Sequence, residues 1–119
     1  TGVRGAIGVS SDGLLMAISA NLGRASADRF AAIVSGMTSL SDGASRALDM
    51  GPLEQVVVEL RRGYLLISRI SGGSSLGVVA AREADLGLVG YEMTLLVERF
   101  ASVLTPALVA ELHGTLSLT

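Results

Sequence analysis

Only a few side chains in this sequence of 119 residues are of a type that could carry out catalysis. Ser10 and Ser74 each begin a pair of serines that could supply nucleophiles, but no histidine stands near either pair to activate a hydroxyl. The single histidine, His113, stands close to the carboxyl end, where a general base is not expected. Asp12 could form an acid–base pair with a second carboxylate, but Asp12-Gly13 is also a dipeptide that tight turns favour. We therefore predict no catalytic residue and no enzymatic activity.

Three absences narrow the range of cofactors. All 9 basic residues are arginines, so the sequence lacks the lysine that a P-loop directs at nucleotide phosphates and that Schiff-base chemistry uses as its amine. It also lacks cysteine, which excludes thiolate nucleophiles, disulfides and cysteine-ligated zinc. The glycines Gly72, Gly73 and Gly77 do not form the G-x-G-x-x-G pattern of dinucleotide-binding loops. We predict neither a cofactor nor a metal site.

The composition limits the class of partner. There are 9 basic and 11 acidic residues and only 3% aromatic residues, so nucleic acid is not an expected partner. Half of the residues are hydrophobic, but the longest uncharged stretches are about a dozen residues long, against roughly 20 for a membrane-spanning helix. The amino end does not have the pattern of a signal peptide. We expect a cytoplasmic protein with no membrane insertion.

The hydrophobic periodicity predicts an α/β (α+β) fold with the element order β-β-α-β-β-β-α. It is expected to form a single domain of residues 1–119, in which residues 104–119 are a short carboxyl-terminal extension. The strands are expected at residues 3–10, 14–19, 54–60, 64–70 and 76–81. Asp12-Gly13 predicts a two-residue type I′ turn between the first two strands. The last strand is apolar on both faces, which predicts a central position in the sheet and a layer on each side of it.

Two helices are expected in this order. The first begins after Ser26 as N-cap, with Asp28 in its first turn, and ends near Gly43 or continues irregularly to Met50. The second begins after Asp85 as N-cap, and its apolar stripe consists of Leu86, Val89, Met93, Leu96, Val97, Phe100 and Leu104. A short helical turn is expected to follow at residues 105–106, with Gly114 as its stop.

The first helix has an unusual surface, because it carries no charged side chain between Arg29 and Asp42. The core stripe is predicted to be Phe30, Ile33, Val34, Met37 and Leu40. The opposite side is predicted to carry the small residues Ala32, Ser35, Gly36, Ser39 and Gly43. Small residues let a second backbone come close, so a partner chain is expected there, most simply a second copy. The alternative is that small residues are merely tolerated at exposed positions.

The strand at residues 54–60 contains three consecutive valines and no lysine or proline, the residues that usually protect a sheet edge. At an edge it would invite pairing with a strand of another chain, whereas an interior position is the alternative. The predicted dimer interface consists of Ala32, Ser35, Gly36, Ser39, Gln55, Val56, Val57, Val58 and Glu59.

The second helix also carries apolar residues away from its stripe, namely Leu88, Tyr91 and Leu95. Either the carboxyl-terminal extension or a helix upstream of the first strand is expected to pack there; isolated exposed leucines are the alternative. Arg61 and Arg62, at the tip of a predicted hairpin, could contact an acidic partner or be solvated.

Seven short motifs occur in an order and spacing that resemble the roadblock/dynein-light-chain family, in particular its actinobacterial members. Those members are encoded beside a sensor-kinase-like protein and a small Ras-like GTPase. The motifs are Val9-Ser10-Ser11-Asp12-Gly13-Leu14, Ala27-Asp28-Arg29, Val58-Glu59-Leu60, Gly63-Tyr64-Leu65, Asp85-Leu86-Gly87, Tyr91-Glu92-Met93 and Leu104-Thr105-Pro106.

The resemblance implies a profilin-like sandwich with a five-stranded antiparallel sheet and helices on its faces. It implies a homodimer in which the strand at residues 54–60 pairs with its copy and the helix at residues 26–43 packs on its mate. It also implies binding of a small GTPase through the dimer, with no catalytic residue carried over, because family members that accelerate GTP hydrolysis reshape the GTPase's own site. The family usually has a helix before the first strand, whereas this sequence opens almost at that strand.

Three functions therefore compete. The first is a dimeric module that regulates a small Ras-like GTPase. The second is an adaptor that joins a sensor-kinase-like protein to other components without affecting hydrolysis. The third is a small-ligand sensory domain.

Overall fold

The computed structural model describes residues 2–103. The elements are β1 (Val3–Val9), β2 (Leu15–Ile18), α1 (Arg24–Leu48), β3 (Gln55–Leu60), β4 (Gly63–Arg69), β5 (Ser75–Ala81) and α2 (Leu86–Val103). The strands form one antiparallel sheet in the order β2-β1-β5-β4-β3, which confirms the predicted fold class and the central position of the last strand. The helical turn predicted at residues 105–106 and its stop at Gly114 lie outside the described residues, as do His113 and Leu104.

The two helices pack on opposite faces of the sheet because side chains alternate along each strand. On one face Phe30 and Val34 of α1 pack against a core that includes Ile7 and Ile67. On the other face the buried side chains of α2, Val89 and Met93, pack against a second core that includes Leu66 and Val78. The central strand is buried on both faces, which explains its uninterrupted apolar sequence.

The type I′ turn predicted at Asp12-Gly13 is wrong, although the hairpin itself forms. A type I′ turn needs a positive φ at both central residues, whereas in this loop only Gly13 has one, at 85°. The N–H of Gly13 donates to the carbonyl of Ser10 at 3.0 Å, and the N–H of Ser10 donates to the carbonyl of Leu14 at 2.8 Å. The loop therefore has three residues and ends on a left-handed glycine.

The predicted start of α1 is also wrong. The N-cap is Gly23, without a side-chain hydrogen bond, and Ser26 lies inside the first turn. Asp28 pairs with Arg24 one turn earlier, at 3.2 Å. The helix continues to Leu48, which agrees with the longer of the two predicted ends. It stops there because Asp49 adopts a left-handed conformation with φ 51° and Gly51-Pro52 follows.

The N-cap predicted for α2 is confirmed. A carboxylate oxygen of Asp85 accepts a hydrogen bond of 3.2 Å from the N–H of Leu88, which has no partner inside the helix. This is the bond by which an aspartate before a helix stabilises its first turn.

One ion pair links the carboxyl-terminal half of α1 to the sheet. Arg69 at the end of β4 donates to Asp42 at 2.8 Å, and the two side chains are 27% and 33% exposed. We expect Asp42→Asn to lower the free energy of unfolding by about 1 kcal/mol, measured by urea denaturation. Asp28→Asn is the matched control, because the pair of Asp28 with Arg24 is about half exposed and is expected to contribute less than ~0.5 kcal/mol. Equal losses from the two variants would contradict this assignment.

Candidate protein-binding surface

The side of α1 that faces away from the sheet is apolar and uncovered in the isolated chain. Ala32, Gly36 and Ser39, which were predicted there, are exposed. Ile33 and Leu40 are exposed with them, at 46% and 74% of their surface. We call these five residues the α1 outer face. A folded chain rarely presents large apolar side chains next to one another unless something binds them.

Ile33 and Leu40 were predicted in the core stripe, and this prediction is wrong. The buried residues of α1 are Ala27, Phe30, Ala31 and Val34. At 100° per residue these four lie within an arc that leaves Ile33 and Leu40 on the far side of Phe30. The predicted stripe plus the buried alanines would span about half of the helix circumference, which one flat sheet cannot cover. The width of this apolar arc is the feature of the sequence from which Ile33 and Leu40 could have been assigned to the binding surface.

Two of the small residues on α1 behave differently. At Gly36 no atom lies within 4 Å of the position that a Cβ would occupy, so another backbone has room to approach. Ser35, in contrast, is half-buried, and its hydroxyl lies 3.0 Å from the corresponding position at Gly13. Of the residues predicted for the interface on this helix, Ser35 therefore faces the β1–β2 loop of its own chain.

The structure places β3 at an edge of the sheet, as predicted. The N–H of Arg69 donates to the carbonyl of Glu54 at 3.1 Å, and hydrogen-bonded pairs alternate with non-bonded pairs along an antiparallel ladder. The main-chain groups of Val56 and Val58 therefore bond to β4, whereas those of Gln55, Val57 and Glu59 point away from the sheet. The β3 edge, residues 55–59, thus offers three consecutive outward pairs of N–H and C=O groups.

The valine side chains of β3 divide between the two faces of the sheet. Val56 packs against the α1-side core, and Val58 is half-buried. Val57 projects from the opposite face and is 51% exposed. Val57 is thus the apolar residue of the strand at which both the main chain and the side chain are available to a partner.

Charged residues lie at the end of β3. Arg82 donates to Glu59 at 2.6 Å and lies over the ring of Tyr64, with its guanidinium carbon 5.2 Å from the ring centre. The hydrogen bond to Glu59 raises the pKa of the Arg82 guanidinium. Arg61 and Arg62 are both exposed at the neighbouring hairpin tip.

The beginning of the β3 edge borders a groove. The groove, of about 620 Å³, runs between the last turns of α1 and the segment that enters β3. It is lined by Ser41, Ala44, Ser45, Met50, Gly51, Pro52, Leu53, Glu54 and Gln55. Of the residues that line the groove, Gln55 belongs to the β3 edge and none belongs to the α1 outer face.

The described residues contain neither a cluster of metal-ligating side chains nor a membrane-spanning helix. Between residues 2 and 103 there is no group of three or more His, Asp or Glu side chains placed to hold a metal ion. Neither helix in that range is long and apolar enough to cross a membrane. The arrangement described above is suited to binding a protein surface by strand pairing and apolar contact.

Comparison with known proteins identifies the fold. The chain is 38% identical to a Roadblock/LC7 domain from Streptomyces avermitilis, with a TM-score of 0.82 over 87% of this chain and 86% of that one. It shares its fold with Myxococcus xanthus MglB, at 14% identity and a TM-score of 0.79 over 85% and 82% of the two chains. The gliding protein MglB from Thermus thermophilus has a TM-score of 0.77 at 21% identity, over 87% and 78%.

Curated protein sequences yielded no match. The family model of the Roadblock/LC7 domain matches residues 1–80, and these residues include α1, β3 and nearly all of β5. Together with the 38% identity to the Streptomyces domain, this match shows that the chain belongs to the Roadblock/LC7 family.

Proposed function

We propose that this protein is a non-enzymatic, homodimeric binding module that regulates or scaffolds a small Ras-like GTPase in the bacterial cytoplasm. The observation that carries the proposal is an exposed apolar α1 outer face together with a free β3 edge in a member of the Roadblock/LC7 family. The partner class is supported by the family resemblance, which implies GTPase binding through a dimer. A sensor-kinase-like protein is a second proposed partner.

The dimer follows from pairing β3 with β3 of a second copy. A symmetric antiparallel pair must place outward residues opposite one another. Setting Val57 opposite Val57 of the second copy also sets Gln55 opposite Glu59, in both directions, so that all three outward pairs are used. Shifting the register by one residue sets outward groups opposite inward ones. Shifting it by two, with Val56 or Val58 on the axis, still pairs outward groups but leaves one of the three outward residues of each strand without a partner inside β3.

This register has two favourable consequences. Each Gln55 side-chain amide comes opposite a Glu59 carboxylate, to which it can donate a hydrogen bond. The sheets of the two copies join into one sheet of ten strands, and both copies of α1 lie on the same face of it. The α1 outer faces can then pack on each other across the axis, with Gly36 allowing close approach and Ile33 and Leu40 removed from water.

The proposed action on the GTPase depends on surface complementarity. The sequence has no lysine or cysteine, and the resemblance carries over no catalytic residue. We therefore propose that binding changes the nucleotide cycle of the GTPase by stabilising one conformation of its own site. An adaptor without this effect is the alternative.

The proposal is tested with the purified small Ras-like GTPases of the same organism, since the resemblance implies that one of them is encoded beside this protein. We expect the affinity of that GTPase for the dimer to differ by at least ~10-fold between the GDP-bound and GTP-analogue-bound states, which corresponds to about 1.4 kcal/mol of preference. Calorimetric titration of each state measures this difference, and single-turnover hydrolysis of GTP with and without the dimer measures regulation.

The outcomes of these measurements distinguish a regulator of the GTPase from an adaptor. A changed rate of hydrolysis supports regulation, whereas binding with an unchanged rate identifies an adaptor. Absence of binding in both nucleotide states would contradict the GTPase proposal. An unrelated GTPase from the same cell is the control for non-specific association.

A further inference from the structure

The turn between β3 and β4 carries positive charge and an apolar side chain at the end of the free edge. Arg61 and Arg62 form this turn and are both exposed. Neither arginine belongs to any of the ion pairs formed among residues 2–103. Leu60, the last residue of β3, is 51% exposed. We call Leu60, Arg61 and Arg62 the hairpin tip.

The groove beside the entry to β3 has a complementary lining. Ala44, Met50 and Leu53 contribute apolar side chains to it, and Glu54 contributes a carboxylate. Met50 is 76% exposed, and Glu54 is exposed and forms no ion pair with another described residue. At Gly51 no atom lies within 4 Å of the position that a Cβ would occupy. The groove therefore combines an apolar wall and a negative charge with room for an entering side chain.

The register of the proposed dimer brings the hairpin tip of one copy to the groove of the other, so the inference rests on the proposed function. Extending the pairing of Val57 with Val57 of the second copy sets Leu60 of that copy opposite Glu54. Its two tip arginines then come beside Leu53 and Pro52. Paired strands lie roughly 4.8 Å apart, and long side chains reach across to diagonal neighbours as well.

Leu60 lies on the same side of the sheet as the groove. Side chains alternate along β3, so Leu60 shares a face with Val56, which packs against the α1-side core. The last turns of α1 form one wall of the groove, so the groove opens on that face too. Residues opposite one another in an antiparallel pair share a face. The side chain of Leu60 is therefore on the side from which it can enter the groove of the second copy.

We propose that each hairpin tip is seated in the groove of the other copy, with Leu60 against Met50 and Leu53 and a tip arginine paired with Glu54. By symmetry the dimer contains this contact twice. The contact also helps to set the register of the two β3 strands, because any shift moves each tip along the groove and away from Glu54.

The charges around the groove favour Glu54 as the partner of the arginine. The adjoining pocket is lined by Asp42, Arg46 and Asp49 among others, and Asp42 is already paired with Arg69 of the sheet. Among the described residues that line the groove itself, Glu54 is the only charged one. An arginine that enters from the second copy therefore meets a carboxylate without a competing cation in the groove.

Exchanging the charges of tip and groove tests the contact. The tip variant carries Arg61→Glu and Arg62→Glu, and the groove variant carries Glu54→Arg. In either homodimer like charges meet at both contacts, and we expect each homodimer to be weakened roughly 10-fold. In a mixed dimer of the two variants both contacts again join opposite charges.

Native mass spectrometry of an equimolar mixture measures the outcome, because the two homodimers and the mixed dimer differ in mass. Random association makes about half of all dimers mixed, whereas a 10-fold weakening of each homodimer raises that share to roughly nine tenths. In about 1 M ammonium acetate, where charges are screened beyond roughly 3 Å, the excess of mixed dimers is expected to fall.

The matched control carries Arg4→Glu and Arg24→Glu, which give it the same net charge as the tip variant. Both arginines are exposed, and they lie in β1 and at the start of α1, outside the hairpin tip and the groove. Mixed with the groove variant, the control forms one favourable and one unfavourable contact in each mixed dimer. We therefore expect the random share of about half.

A random share of mixed dimers from the tip and groove variants would overturn the inference and leave the β3 dimer standing. An equal excess in the control mixture would also overturn it, because net charge would then explain the excess. Failure of the dimer itself is detected separately: sedimentation of the unaltered chain at the mass of one chain would overturn the dimer and the tip contact together.

Discussion

Replacing Val57 by arginine is expected to leave the chain folded but to reduce its sedimenting mass to that of one chain of 12.1 kDa. The side chain of Val57 is half exposed in the isolated chain, so an arginine there can be solvated in the monomer. In the proposed dimer it stands opposite its own copy, and two like charges meet at the axis. At roughly 2 kcal/mol for each misplaced charge, the low end for such positions, the dimer weakens roughly 1,000-fold.

Gly36→Glu tests the other half of the same interface. The space beside Gly36 is open, so the glutamate does not disturb its own chain, but it buries a carboxylate where two copies of α1 are proposed to meet. Sedimentation velocity over a range of micromolar concentrations measures both effects, and circular dichroism checks that the variants remain folded.

Ala20→Arg is the control for the effect of charge alone. Ala20 is an exposed apolar residue just after β2, the strand at the opposite edge of the sheet from β3. This variant is expected to remain a dimer. The interface would be wrong if the unaltered chain sediments as a monomer at micromolar concentration, or if Val57→Arg and Gly36→Glu both sediment at twice the mass of one chain.

The second large effect is expected inside the fold, at Gly77. This residue lies in the central strand directly beneath α1, where a Cβ would stand 3.0 Å from Val34 Cγ2 and 3.1 Å from Phe30 Cζ. Both neighbours are buried in the α1-side core and cannot move without displacing the helix. Gly77→Val is therefore expected to lower the free energy of unfolding by about 2–3 kcal/mol, in spite of the better strand propensity of valine.

Thermal and urea denaturation measure this loss, and a decrease of Tm of roughly 10 °C or more is expected. Gly8→Val is the matched control, since a Cβ at Gly8 in β1 would meet its nearest neighbour, the Cβ of Ala17, at 3.7 Å, an ordinary contact. Phe30→Leu should recover part of the stability of Gly77→Val, because it removes the ring atoms nearest to the added methyl groups. Equal stabilities of Gly77→Val and Gly8→Val would show that α1 can shift without cost.

The two halves of the candidate site differ in how well they could be predicted. The three valines of β3 left an edge and an interior position both open, and the edge was what the family resemblance implied. The composition of the α1 outer face was not predicted correctly, because Ile33 and Leu40 are as apolar as the residues that the helix buries. Periodicity reports the mean direction of an apolar arc, and only the contact with the sheet decides which part of a wide arc is covered.

The ends of helices and the turn type were also predicted unevenly from the residues found there. Asp85 caps α2 because its carboxylate accepts a hydrogen bond from the N–H of Leu88, which has no acceptor within the first turn of the helix. Ser26 has the same preference, but α1 begins earlier, at Arg24. Asp12-Gly13 satisfies two turn types equally well, and the observed one follows from the pairing of Ser10 with Leu14 across the loop.

The sequence by itself determined the fold class of the protein, through the order of its strands and helices and its buried central strand. It also determined that one helix has no charged side chains in its middle and carries small residues on the side away from its core stripe. These properties follow from periodicity and composition, which act over a few neighbouring residues. Only the tertiary structure decided that β3 lies at an edge, that the side chain of Val57 projects from the sheet face opposite α1, and that Ile33 and Leu40 face outward. These depend on which elements become neighbours, and contacts between residues distant in the chain set that arrangement.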